Sequence, residues 1–215
     1  MSEDRSALEN KSKEELMDLI VDLKGAMSKM KEDHMKLINL RFYHLERNVN
    51  LNMQYNRRES FEIVGIPASV ENDELEDEVI DILKDAKVSV NRQHIKKMDI
   101  CAVHRLRDKK TTIVRVVNRK WSREAVINGK NLKGTKRYGE GNKVYVNHSF
   151  CPEFKFLNYV IRKASRDKTI FHYKFRNGVP YVQKVEGSNY VQIGHILDLE
   201  NLGLTIPERR KYGDN

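Results

Sequence analysis

Ser60-Phe-Glu-Ile-Val-Gly-Ile-Pro67, Met98-Asp-Ile-Cys-Ala-Val-His-Arg-Leu106 and Thr111-Thr-Ile-Val-Arg-Val-Val117 are the three runs whose reading decides the fold of this chain. Each is short, rich in β-branched residues and bounded by turn chemistry, the pattern of a β-strand. Pro67 stops the first run, which reads as a strand over Ser60–Ile66, and the basic turn Arg107-Asp-Lys-Lys110 joins the second to the third. Between the first two, Glu71–Ala86 carries an apolar stripe at helical spacing (Leu75, Val79, Ile82, Leu83, Ala86). Its other face is acidic: Glu71, Asp73, Glu74, Glu76, Asp77, Glu78, Asp81 and Asp85. Acids in the first turns suit the helix dipole and would repel a polyanion from that side. After the third strand, Arg119–Ile127 reads as a helix with Trp121, Ala125 and Val126 inward, ended by Asn128-Gly129. Lys143–Val146 reads as a fourth strand.

The resulting order is strand, helix, strand, strand, helix, strand, the split βαβ arrangement of ferredoxin-like folds. Both helices would cover one face of a four-stranded antiparallel sheet. The other face would be bare, as in the platform on which RNA-recognition motifs hold single-stranded RNA. One departure bears on specificity. The third strand carries no aromatic residue and the first offers only Phe61, so base stacking is weakly provided for. Cations would have to hold RNA through phosphates and guanidinium stacking, with little sequence preference.

Cations are abundant where this reading needs them. Residues 92–143 hold sixteen Lys and Arg against four acids, an excess of twelve, whereas the whole 215-residue chain has a net charge of +9. Such a density attracts polyanions, and counterion release makes nucleic acid the usual partner. The plainer alternative is a lysine-rich solvated surface. By charge and placement the candidate contacts are Arg105, Lys109, Lys110, Arg115, Arg119, Lys136 and Arg137.

The flanks complete an α+β organisation. Residues 1–54 are nearly neutral and place Leu16, Ile20, Leu23, Met27, Met30, His34 and Leu37 at alternating spacings of four and three. This is a coiled-coil seam, whose register slips by one to Ile38, Phe42, Leu45 and Val49. The spacing predicts self-association and leaves dimer and trimer open. Residues 51–58 read as a junction ending in Arg57-Arg58, and an RNA-recognition-motif-like domain is assigned to 55–148. A small α+β C-terminal domain is assigned to 149–206, followed by a tail at 207–215. In it Pro152–Arg166 reads as a helix with Phe156, Leu157, Val160 and Ile161 inward. Asn177-Gly178 signals a type I′ hairpin between Thr169–Phe175 and Val179–Lys184. Tyr190–Ile193 and Leu197–Leu202 read as a short strand and a closing helix. Tyr173, Phe175 and Tyr181 alternate with Lys174, Arg176 and Lys184, which suits either a single-strand surface or ordinary cross-strand packing.

No run reaches the length of a membrane span, no signal-peptide pattern opens the sequence, and two cysteines fit a reducing compartment. A cytoplasmic or nuclear protein is expected. Cys101-x-x-His104 with His148-x-x-Cys151 could be drawn as a zinc quartet. Residues three apart on a strand point to opposite faces, so no metal is expected. No cofactor motif and no grouped nucleophile or acid–base pair is present, and no enzyme activity is expected.

The heptad helix followed by Ser60–Pro67, Ala102-Val-His-Arg-Leu106 and Thr112-Ile-Val-Arg-Val116 resembles proteins encoded by the first open reading frame of LINE-type retrotransposons. Val144-Tyr-Val-Asn-His148, Pro152, Tyr173-Lys-Phe-Arg-Asn-Gly178 and Leu197-Asp-Leu199 resemble the C-terminal domain of the baculovirus few-polyhedra (FP) protein. The likeness implies a coiled-coil oligomer, a trimer in the retrotransposon case, that clamps single-stranded RNA in a ribonucleoprotein particle with nucleic-acid chaperone activity. It further implies binding positions at Arg57, Arg58, Arg115, Lys174 and Arg176. The few-polyhedra branch implies instead a viral structural role in nucleocapsid association, envelopment and occlusion.

Overall fold

The computed structural model describes residues 12–133, 135, 137–139 and 142–208. Its architecture is α+β: a long N-terminal helix followed by antiparallel sheets and shorter helices. The chain divides into two compact units, the first ending at Glu46 and the second beginning at Arg47. Helix α1 (Lys13–Tyr55) runs without interruption through both.

At its start, Ser12 and Glu15 close a reciprocal capping box. The Ser12 Oγ accepts from the Glu15 amide at 3.3 Å, and the Glu15 carboxylate accepts from the Ser12 amide at 2.7 Å. Ile20, Leu23, Met27, Met30, Leu37, Phe42 and Leu45 are all exposed along the first unit.

The second unit has two apolar cores. The first is built on strands β1 (Ser60–Val64), β4 (Ile100–Arg105), β5 (Thr111–Val116) and β6 (Tyr145–His148), hydrogen-bonded in the order β4-β5-β1-β6 with all pairs antiparallel. Helices α2 (Leu75–Asp85) and α3 (Arg119–Asn128) bury one face of it. Period-two alternation sends Phe61, Ile63, Val114, Val116 and Val146 into that core, where they meet Leu75, Val79, Ile82, Leu83 and Ala86 of α2 and Trp121 and Ala125 of α3. The Trp121 indole is anchored by donating to Asp99 at 3.1 Å. A short hairpin, β2 (Ser89–Val90) and β3 (Gln93–His94), turns at Asn91 and Arg92, both with positive φ. The sequence reading did not anticipate it.

The second core gathers helix α4 (Pro152–Arg166), the sheet β7 (His172–Arg176)-β8 (Val179–Gln183)-β9 (Val191–Gln192), and helix α5 (Ile196–Asn201). Phe154, Leu157, Ile161 and Ala164 form its helical stripe; the expected inward position Phe156 lies only at the margin. At the β7–β8 hairpin Asn177 and Gly178 take φ of 53° and 76°, as a type I′ turn requires.

The expected junction at 51–58 is instead the last turn of α1 and the short turn after it. The Arg47 guanidinium pairs with Asp198 at 3.2 Å, and Asn50 donates to the Gly194 carbonyl at 3.2 Å. Gln54, 1% exposed, donates to the Ser149 carbonyl at 3.0 Å and accepts from the Cys151 amide at 3.1 Å. Thus the end of α1 is hydrogen-bonded into the C-terminal core, and a boundary at residue 54 does not separate helix from globule.

The sheet face opposite α2 and α3 also departs from expectation. Phe61 is fully buried on the core side, and alternation places Glu62 at the centre of the other face, beside Ile113 and Asn147. Glu62 is only 7% exposed: Lys155 of α4 pairs with it at 3.2 Å and Ser149 donates to it at 3.5 Å. The middle of the expected bare platform is covered and carries an acid.

Candidate nucleic-acid interface

A cleft of about 430 Å³ opens where the end of α1, helix α3, strand β6 and the β7–β8 hairpin meet. Six cations line it: Arg57 and Arg58 after α1, Arg119 and Arg123 on α3, and Lys174 and Arg176 on β7. No carboxylate is among its lining residues. Like charges gathered with a single flanking carboxylate, Glu59 beside Arg58, cost stability unless an anion binds, so this arrangement fits an anionic ligand. Among the described residues Arg119, Arg123 and Arg176 have no hydrogen-bond or ion-pair partner.

Local structure explains how each cation reaches the cleft. Asn118 caps α3 by accepting from the Lys120 amide at 2.9 Å, which directs the first helical turn. Arg119, Ser122 and Arg123, spaced i, i+3, i+4, then share one face. Ser122 donates to the Ser60 carbonyl at 3.1 Å and fixes that face against β1. Arg57 donates to the Ser149 hydroxyl at 3.3 Å. The Arg58 guanidinium lies 3.7 Å from the Tyr55 ring centroid, with Glu59 at 3.6 Å, and its Nη1 is enclosed with no hydrogen-bond partner. The Tyr55 ring is itself exposed, so ring and guanidinium present a flat stacking surface. Lys174 sits 3.5 Å from the Tyr190 ring centroid.

The cleft wall contributes aromatic surface as well. His148 and Phe175 line it and, with the buried Phe150 behind them, form a triangle with centroids 5.4–5.7 Å apart. Burial pushes the His148 imidazole down to about 4, so the ring is neutral at physiological pH and packs as an aromatic. Tyr181, by contrast, accepts from Gln192 at 3.2 Å within the sheet.

Five positions named from sequence therefore converge: Arg57, Arg58, Arg119, Lys174 and Arg176. Arg123 was missed, although its i+4 spacing from Arg119 was visible. The remaining candidates lie elsewhere. Arg115 is exposed on β5 opposite Ser60 but does not line the cleft. Lys109 and Lys110 occupy the β4–β5 turn, at the far end of β5 from Arg115. There Asp108 accepts from the Lys110 and Thr111 amides at 3.0 and 2.9 Å.

Two candidates are engaged in other bonds. The Arg105 guanidinium donates to the carbonyls of Ile66, Pro67 and Val70 at 3.1, 2.7 and 2.9 Å, tying the β1–α2 loop to the sheet edge. Arg137 pairs with Glu78 at 2.7 Å and with Asp85, both on the acidic helix. Its neighbour Tyr138 also donates to Glu78, and the Arg137 hydrogen bond, with that of Tyr138, holds the Glu78 carboxyl below its usual range. Lys97 pairs with Asp77 of the same helix at 2.6 Å. Lys136 falls outside the described residues.

Cys101 is exposed on β4 and Cys151 is buried within the second core, so the two halves of the imagined zinc quartet belong to different environments. Among the described residues no helix is long and apolar enough to cross a membrane. The sequence matches no protein-family model and no curated protein.

Proposed function

We propose that this protein binds single-stranded RNA, or single-stranded DNA, with little sequence preference, and that it does so from an oligomer assembled through α1. The observation that carries the reading is the cleft, lined by six cations and no carboxylate, one of which, Arg58, stacks on the exposed Tyr55 ring beside it. Cations grip phosphates whatever the base, and aromatic surfaces stack any base, so both favour affinity over readout.

The strand order β4-β5-β1-β6 supports reading residues 55–148 as an RNA-recognition-motif-like domain. In this reading the ligand does not lie across the sheet, whose centre is covered by α4 through the Lys155–Glu62 pair, but at its edge, against the hairpin of the C-terminal domain. The exposed seam from Ile20 to Leu45 supports self-association, with a trimer preferred on the resemblance to LINE-type first-open-reading-frame proteins. Several cleft sets on one oligomer would multiply avidity for a long strand and suit packaging or chaperoning in a ribonucleoprotein particle.

A salt titration tests the reading. With six phosphate contacts, log affinity for oligouridylate should fall against log salt with a slope of about −4. Absence of binding at low salt, or equal affinity for duplex and single strand, overturns it.

A further inference from the structure

A second concave surface lies on the exposed side of α4, and we propose that it is an extension site for the same single strand, holding the nucleotides that leave the cleft. This rests on the nucleic-acid reading above. The groove encloses about 640 Å³ and is lined by Lys155, Asn158, Tyr159, Arg162 and Arg166 of α4 together with Tyr173 of β7. Its composition repeats that of the cleft: cations and rings, with no carboxylate among its lining residues.

Tyr159 is 51% exposed, too open for a core residue and flanked by Lys155, Arg162 and Arg166 on one helix face. A ring held between cations is suited to a stacked base whose two phosphates are both neutralised. The three cations are exposed, and among the described residues only Lys155 has an ion-pair partner, Glu62 at 3.2 Å.

The two cavities share a wall. Tyr173 lines the groove and Phe175 the cleft, two residues apart on β7 and in edge contact at 5.9 Å. On the other side, Lys155 of the groove and Ser149 of the cleft meet on the same Glu62 carboxylate. A strand passing over this wall moves from one cation–aromatic surface directly to the next. An acidic or phosphorylated peptide is the competing occupant, but it would leave the exposed ring without a planar partner.

The test uses the full chain, oligouridylates of about 6 and about 20 nucleotides, and two variants. The groove variant is Tyr159→Ala/Arg162→Ala/Arg166→Ala, and the cleft variant is Arg57→Ala/Arg176→Ala. The cleft variant should weaken both lengths. The groove variant should weaken the 20-mer about tenfold and leave the 6-mer within about twofold. Because the groove side chains are exposed, its melting curve should match wild type. As a direct reading, Tyr159→Trp should show emission quenched by the 20-mer. Groove-variant affinities equal to wild type at both lengths overturn the extension site while leaving the cleft standing. Failure of wild type to bind either length overturns both. Quenching by a phosphorylated acidic peptide but not by the 20-mer assigns the groove to a protein partner and overturns the proposal.

Discussion

The cations of the cleft and those beside the acidic helix are the same residue types put to opposite uses. Arg137 and Lys97 are matched by Glu78, Asp85 and Asp77, and Arg105 is matched by three carbonyls. Among the described residues Arg119, Arg123 and Arg176 meet no such partner. The first group satisfies its surroundings and stabilises the fold; the second leaves charge available to something outside it. Basic residues alone therefore say little about binding, whereas basic residues without counter-charge say a great deal.

That contrast is broken most directly by removing the unmatched group. Arg119→Ala/Arg123→Ala/Arg176→Ala should lower single-strand affinity about a hundredfold at low salt and flatten the salt slope by about 2. Its urea midpoint should stay at or above that of wild type, because repulsion is relieved. A smaller but opposite effect belongs to Arg105→Ala, which strands the loop carbonyls. Stability should fall by about 2–3 kcal/mol in urea unfolding, with affinity per folded molecule unchanged.

Gly178→Ala is the next in size. A Cβ there would stand 2.5 Å from the Gln54 Nε2, at a φ of 76° that disfavours side chains. A loss of about 1–2 kcal/mol is expected, together with weaker binding, since the turn carries Lys174 and Arg176. Arg137→Ala should cost about 1 kcal/mol, given its partial burial, and leave affinity within about twofold. A large affinity loss there would erase the distinction between the two groups.

The smallest effects lie in acid. His148 titrates near 4 in the folded protein and near its ordinary 6.5 when unfolded, so the unfolded chain takes up the proton first. Stability should therefore decline as pH drops through that window, and His148→Phe should flatten the decline. The Glu78 carboxyl is held low by Arg137 and Tyr138. Its contribution is present above the unfolded carboxylate range and is lost as pH falls through the lower folded value. Glu78→Gln should remove only that later, more acidic part of the unfolding curve.

How much of this was legible beforehand follows from which interactions are local. The α2 stripe from Leu75 to Ala86 and the Asn177-Gly178 turn depend on spacing and backbone preference, and both could be read directly. Five of six cleft cations could be named, but their convergence could not, because it depends on strand register and on how the hairpin meets α3. A count along the chain placed Lys109 and Lys110 with Arg115, although β5 holds them at opposite ends. The acid at the centre of β1 was visible in the alternation Ser60-Phe-Glu-Ile63; its partner Lys155, ninety-odd positions later, was not. Gln54 was equally opaque, since a polar residue at a helix end gives no local sign that Ser149 and Cys151 will enclose it.

The bonds that Gln54 makes also set an order of events on the ribosome. Its partners lie 95 and 97 residues downstream. At about 5–20 residues per second, the tip of α1 waits roughly 5–20 s for them to be synthesised. During that delay the upstream heptads are already synthesised, so in the oligomer proposed above sister copies translated from one message would pair before any of them has completed its cleft.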